Sequence, residues 1–454
     1  KIKKESIYKK IDSASQAASK FAIANEYDKM VSSIGANNTN AFTSTEVTAY
    51  INDIPSNEFE KWIKLEKERL GKLVLRLFHT ELEAVYEEFN RGQDNDSRKV
   101  GQALDKALFP NHPYGTQTTI GTSEHLKNPS MKNIREYFDK YYVPNNMAIC
   151  IAGDIDPAQT IKQIYKYFGV FEKHDVPEHK LTTAGPIEGI VVKNIFGPDK
   201  ESVNIGFRFA GVNSSDEKIV AIIDMILSNY QAGIIDLDLV QKQKILQGGA
   251  HSGFDLEYGA HVLYGSPREG QQLEEVKDLL MSALEKVKKG DFGDWLIPAI
   301  INDLQLERMK QNETNNVAYD YMNSFIYSTP WIDKVRRIDD LAAITKAKVI
   351  EFASKHYTDN YVIVYKRLGK DTTIVKVEKP PITPIELNRK DESVFMKEFN
   401  SAESEDIKPV FVNYKDKIKR KTLGSAVELN YIKNTTNELF NLTYLIDMGQ
   451  AHNK

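Results

Sequence analysis

The chain has 454 residues, 41% of them hydrophobic and 27% charged, with 60 basic against 64 acidic side chains and a formal charge of −4. This is the composition of a soluble globular protein with length for about three domains of ~150 residues, and it offers no basic excess to a nucleic acid. The single cysteine, Cys150, excludes a disulfide framework and a thiolate metal cluster, and no apolar run approaches the ~20 residues of a membrane span.

In chain order, residues 1–30 read as helix, with Ile7, Ile11, Ala14, Ala17, Ala18 and Phe21 on one side, broken at Gly35. The Thr- and β-branched-rich stretch from Thr39 to Ile54 reads as two strands joined by a Ser-Thr-Glu turn. Residues 57–91 read as helical and end at Arg91-Gly92, with Gly92 as C-cap. Within them Phe78, Leu82, Val85 and Phe89 form an apolar stripe, and Glu81 and Glu88 run beside it. Seven residues is nearly two turns, so both carboxylates leave the helix in almost one direction. Solvated glutamates of an amphipathic helix are the ordinary meaning of such a pair; ligands of a cation are the other.

A helix over 96–108 leads into the turn-rich Phe109-Pro-Asn-His-Pro-Tyr-Gly115, where His112 reads as structural. Then come a helix over 130–141, a buried strand over Asn145–Gly153 that packs Cys150 as a small hydrophobe, and a helix from Asp156-Pro157 to about 167. Residues 172–189 read as a linker. A second unit opens with strands Ile190–Ile195 and Glu201–Phe209. Helices follow near 215–229, 273–289, 293–325 and 345–356, then a strand over Tyr361–Arg367. Gly248-Gly-Ala-His-Ser-Gly253 lacks the Gly-Lys-Ser/Thr of a phosphate loop and reads as a turn. His79 and Glu83, spaced i, i+4, read as surface chemistry.

Shifted by 215 positions, Leu341–Asn360 matches Leu126–Asn145 at Leu, Glu, Lys, Tyr and Asn, each time before an apolar strand. This reads as a duplicated α+β domain whose sheets are mainly antiparallel and packed by helices on one face. The expected organisation is a first domain over 1–171, the linker 172–189, a homologous domain over 190–370, an extended connector over 371–411 holding the Pro380-to-Pro384 run, and the start of a third domain over 412–454. In that last piece two strands are expected around Asn434-Thr-Thr-Asn437.

Taken together, Gly35-x(4)-Asn-Ala-Phe-Thr-Ser-x(3)-Thr-x-Tyr50, Glu81-x(6)-Glu88, Phe109-Pro-x-His-Pro-Tyr-Gly and Tyr142-x-Pro-Asn-Asn-Met with Gly153-Asp154 resemble the inverzincin metallopeptidases, the pitrilysin, insulin-degrading-enzyme and processing-peptidase type. The resemblance is strongest over 20–170 and looser over 190–370, where it implies a homologous, non-catalytic domain. It implies that Glu88 is a zinc ligand, that Glu81 supports the catalytic site, and that Asn40, Ala41, Phe42 and Thr43 form an edge strand receiving a peptide by β-addition. The implied cofactor is Zn2+, whose bound water attacks the peptide carbonyl. The implied partners are a peptide or unfolded polypeptide and a second half of the same chain or a homologous subunit, in the bacterial periplasm or cytoplasm.

One departure stands out. Neither His-x-x-Glu-His nor His-Glu-x-x-His occurs; His125 and His179 follow glutamates, but positions 121 and 175 are Gly and Asp. The expectation is a middle fragment of a longer peptidase, inactive and without tightly held zinc by itself. A catalytically dead peptide-binding or structural subunit of the same family is the alternative.

Overall fold

In a computed structural model, the structure describes residues 2–450 apart from 128, 373, 378–382 and 408, with side chains from Glu5 onward. The Pro380–Pro381 step of the connector and residues 451–454 thus lie outside the described residues. Residues up to Glu403 form one compact unit and those from Ser404 a second. No helix among the described residues is long and apolar enough to cross a membrane.

The first unit opens with helices α1 (Ile2–Ser19) and α2 (Glu26–Ser33), followed by strands β1 (Asn37–Thr43) and β2 (Thr48–Asp53). Helices α3 (Phe59–Gly71), α4 (Phe78–Gln93), α5 (Asp96–Leu108), α6 (Pro113–Thr116), α7 (Ser123–Lys127), α8 (Met131–Tyr141) and α9 (Pro157–Phe168) follow. Capping side chains mark several starts: Asn95 accepts from the Arg98 amide at 2.8 Å, Ser130 from Asn133 at 3.2 Å, and Asp156 from Gln159 at 2.8 Å ahead of Pro157. The buried strand expected over Asn145–Gly153 does not form: Pro144–Asn146 is a 3-10 turn, the residues after it join no ladder among the described residues, and Ile149 stays exposed. Cys150 is half-buried there, and burial pushes its thiol pKa up.

The main sheet lies further on. Strands β3 (Val191–Gly197), β4 (Ser202–Ala210), β5 (Gln247–Phe254), β6 (Tyr258–Ser266) and β7 (Val362–Leu368) are ordered β3-β7-β4-β6-β5, with only β3 and β7 parallel. Helices α10 (Ser215–Leu227), α11 (Leu273–Lys289), α12 (Leu296–Gln311), α13 (Val317–Ile326), α14 (Trp331–Ala342) and α15 (Lys346–His356) complete this part. The expected single helix over 293–325 breaks at the polar Asn312–Asn316 step between α12 and α13.

Period-two alternation sends β4 and β7 side chains to two cores. Val203, Ile205, Phe207, Ile363 and Tyr365 meet α10, α11 and α15, the one-sided helical layer expected. The opposite face is covered too: Val362 and Val364 pack on Val100, Leu104 and Leu108 of α5. Gly206 permits that approach, since a Cβ there would lie 2.9 Å from Leu104 Cδ1 and 3.0 Å from Leu108 Cδ1.

The repeated helix–Tyr–Asn order is present in three dimensions. Asn145 follows α8, accepts from the His174 amide at 3.2 Å and donates to its carbonyl at 2.9 Å; Asn360 follows α15 and accepts from the Gly189 amide at 3.2 Å. The two asparagines thus hold opposite ends of the stretch between 172 and 189.

Three further expectations change. Gly248–Gly253 is no turn but the middle of β5, whose Ala250 pairs with Leu263 and His251 with Val262. The connector is partly packed: α16 (Val394–Ser401) buries Met396 and Phe399 against Met30, Val31, Ile34 and Leu65. In the second unit, a short helix α17 (Tyr414–Lys417) precedes β8 (Lys419–Leu423) and β9 (Val427–Tyr431), which pair around Gly424 (φ 61°). The Asn434 turn exists, Asn434 Oδ1 accepting the Thr436 amide at 3.0 Å, but lies beyond the hairpin.

Candidate functional site

Helix α4 begins at Phe78; residues 72–77 are not helical, and Arg76 donates to the Phe21 carbonyl at 3.0 Å. Its stripe buries Leu82, Tyr86 and Phe89 against Leu126 and Val377, with Phe78 and Val85 half-buried at the margin. Tyr86 Oη donates to the Leu126 carbonyl at 2.9 Å, and Asn90 bonds both backbone groups of Val377, at 3.1 and 2.8 Å. The apolar face is thereby fixed and the polar face directed to solvent. Gly92 is not the cap expected of it. The helix runs on to Gln93, and the Arg98 guanidinium lies where a Gly92 Cβ would need room, at 2.6 Å.

Glu81 and Glu88 both stand on the exposed side of α4, as their spacing requires. Among the described residues neither carboxylate has a hydrogen-bond or ion-pair partner. His79 lies edge-on to Phe78, and burial lowers its pKa, which suits packing rather than charge.

A catalytic zinc takes three protein donors and an open position. Among the described residues no group of three or more His, Cys, Asp or Glu side chains could hold a metal ion. Glu88 supplies at most one such donor, so these residues by themselves do not make a zinc centre.

The β1–β2 hairpin is as expected, with Ala41 opposite Tyr50, Phe42 opposite Ala49 and Thr43 opposite Thr48. Asn40, Ala41, Phe42 and Thr43 are all exposed, and among the described residues β1 pairs with β2 alone, which leaves its other edge unpaired. The Ala41 amide is met by the Asn40 side chain, Oδ1 accepting at 2.8 Å. Strand β2 supplies the anchorage: Tyr50 Oη bonds Tyr142 Oη at 3.0 Å, and the Arg69 guanidinium stacks 4.0 Å over the Tyr50 ring.

The loop after α5 does more than its sequence suggested. His112 is fully buried; its Nδ1 accepts the Tyr114 amide at 3.2 Å, so Nε2 carries the hydrogen and faces Glu257 at 3.3 Å. Burial alone would raise the Glu257 pKa, but His179, the Thr182 amide and His112 hold it below the ordinary carboxylate range. The Pro-x-His-Pro-Tyr-Gly pattern was the available signal for this joint.

Comparison with known proteins shows what the chain is similar to. A family model described as "Peptidase M16 inactive domain" matches residues 130–304. The zinc protease PqqE of Helicobacter pylori is 24% identical over 304 residues, which cover 64% of this chain and 65% of that protein. The crystal structure of a Helicobacter pylori protease superposes with a TM-score of 0.71 at 18% identity, covering 79% of this chain and 89% of that one. The periplasmic protease PqqL of Escherichia coli gives a TM-score of 0.63 at 14% identity, over 92% of this chain and 49% of that one. The fold, the ordered motifs and the family match agree, and what the chain is similar to is the inverzincin, or M16, peptidases.

Proposed function

We propose that this chain is part of a zinc-dependent endopeptidase in which Glu88 contributes one carboxylate to the metal and Glu81 supports it, the imidazole donors coming from outside the described residues. The observation that carries this reading is the Glu81/Glu88 pair itself. The two carboxylates project together from a helix whose opposite face is locked by Leu82, Tyr86 and Phe89, and nothing among the described residues pairs with either. Two acids displayed in parallel on a rigid element form a pre-oriented half-site for a cation.

Substrate would be a peptide or an unfolded polypeptide, added as a strand to the open edge of β1 at Asn40–Thr43. Backbone pairing of this kind accepts many sequences. Because Asn40 Oδ1 accepts the Ala41 amide, an incoming carbonyl exchanges one acceptor for another there. The 49% coverage of PqqL supports a chain that works with a second half or a homologous subunit. The domain division drawn from the sequence, with a non-catalytic homologous domain after the 172–189 stretch, belongs to the same proposal.

The description of the matched family model as an inactive domain favours a second reading, a peptide-binding or structural partner without its own catalysis. Metal content and peptide cleavage of the full-length protein, with and without Glu88→Gln, separate the two. The peptidase reading requires both properties to fall together. The partner reading requires peptide binding with neither.

A further inference from the structure

Strand β1 has no buried side chain along its seven residues, so it cannot hold its own place. A two-stranded hairpin is marginal in water without outside anchorage. Tyr50 secures the middle of β2 on Tyr142. The tip, Ser44–Val47, closed by the Ser44 amide on the Val47 carbonyl at 2.8 Å, is held elsewhere. Tyr114 Oη donates to Glu46 Oε1 and accepts the Glu257 amide at 3.1 Å. One hydroxyl therefore joins the β1–β2 turn to the β5–β6 turn.

The loop is shaped to deliver that hydroxyl. His112 caps the turn, Pro113 begins it, and the Gly115 and Thr116 amides each close on the His112 carbonyl at 3.0 Å. A Cβ on Gly115 would sit 2.4 Å from the Phe109 carbonyl, so the loop needs glycine there. The Tyr114 ring packs edge-on against Phe109 and His112, which fixes its direction.

We propose that Tyr114 is a positioning residue for the substrate strand: through Glu46 and Glu257 it locks the tip of the β1–β2 hairpin to the main sheet, so that the open edge of β1 is held ready for an incoming peptide. This rests on the strand-addition reading for its purpose but not for its geometry.

The test is amide hydrogen exchange over residues 37–53 in the full-length protein, measured with and without an unstructured peptide. Tyr114→Phe keeps the ring and removes only the hydroxyl. It should speed exchange of the hairpin amides roughly tenfold, the loss of one well-placed hydrogen bond at a marginal element. Glu46→Ala should do the same, and the double variant should exchange no faster than either single one, because one link is being cut. In the wild type, peptide should slow exchange at 40–43, and less so in Tyr114→Phe. Hairpin exchange unchanged in Tyr114→Phe, or additive effects in the double variant, would overturn the proposal. Loosening by both variants with no protection of 40–43 by peptide would leave the link intact and remove its role in substrate binding, and with it the strand-addition reading.

Discussion

Asp96, the first residue of α5, and Lys366, on β7, form an ion pair of 3.1 Å with both side chains removed from solvent. Asp96 also pairs with Lys99 at 2.8 Å and accepts the Asp199 amide at 3.0 Å, while Lys366 Nζ donates to the Gly197 carbonyl at 3.1 Å. Helix α5 is thus tied electrostatically to the sheet whose face it covers, just ahead of the loop that carries Tyr114.

Breaking a buried pair from one side strands a charge. Lys366→Met should cost about 3 kcal/mol in urea unfolding, the low end for such a change because Lys99 remains beside Asp96. Pairing it with Asp96→Asn should cost less than the sum of the two single variants. Burial raises the Asp96 pKa, but Lys99, the Asp199 amide and Lys366 more than offset it, and the pKa lies below its ordinary value. The stability this provides is present above the unfolded value of about 4 and is lost as pH falls below it. Asp96→Asn should therefore flatten the acid limb of a pH–stability curve.

Asp255 carries the opposite sign. Burial, with the Glu46 charge second, pushes its carboxyl up to about 6. The native state then holds a proton that the unfolded state has released, so stability falls as pH rises from about 4 to about 6. Asp255→Asn should narrow the difference in melting temperature between pH 5 and pH 7. An unchanged difference would mean that the carboxyl titrates normally.

Gly206 on β4 and Gly253 on β5 give a matched contrast within one sheet. A methyl group at 206 meets Leu104 and Leu108 of α5, whereas at 253 nothing lies within 4 Å. Gly206→Ala should destabilise by about 1–3 kcal/mol. Gly253→Ala should stay within about 0.5 kcal/mol of wild type. Equal costs would show that α5 does not press on the sheet as described.

What the sequence made legible follows the strength of its local signals. The β1–β2 hairpin carried Thr and β-branched residues, and α5, α8 and α9 carried side-chain caps, so pattern and fold agree there. Strand β5 was hidden because Gly248, Gly249 and Gly253 read as a turn. In the fold, a Gly249 Cβ would lie 2.7 Å from Tyr264 Oη, so close packing within the sheet favours glycine where local propensity opposes it. The last hairpin lies earlier than expected because the Asn434 turn is a stronger local signal than the single Gly424. At the candidate site, spacing alone put Glu81 and Glu88 on one side of α4. Their proposed chemistry came only from the resemblance, since an exposed glutamate pair carries no mark of its purpose. The Tyr114 link joins residues 46, 114 and 257, a long-range contact that no local pattern encodes.

Whether Glu88 is a donor to a catalytic zinc is decided on the full-length protein. Zinc content and cleavage of an internally quenched peptide are measured for wild type and Glu88→Gln, with thermal unfolding as a control for the fold. The wild type should hold about one zinc per chain and cleave the peptide. In Glu88→Gln both should fall together, by at least about tenfold in activity, with the melting temperature little changed because the side chain is exposed. Zinc and activity that survive Glu88→Gln, or a wild type that is metal-free and inert yet binds peptide, would contradict the ligand role of Glu88.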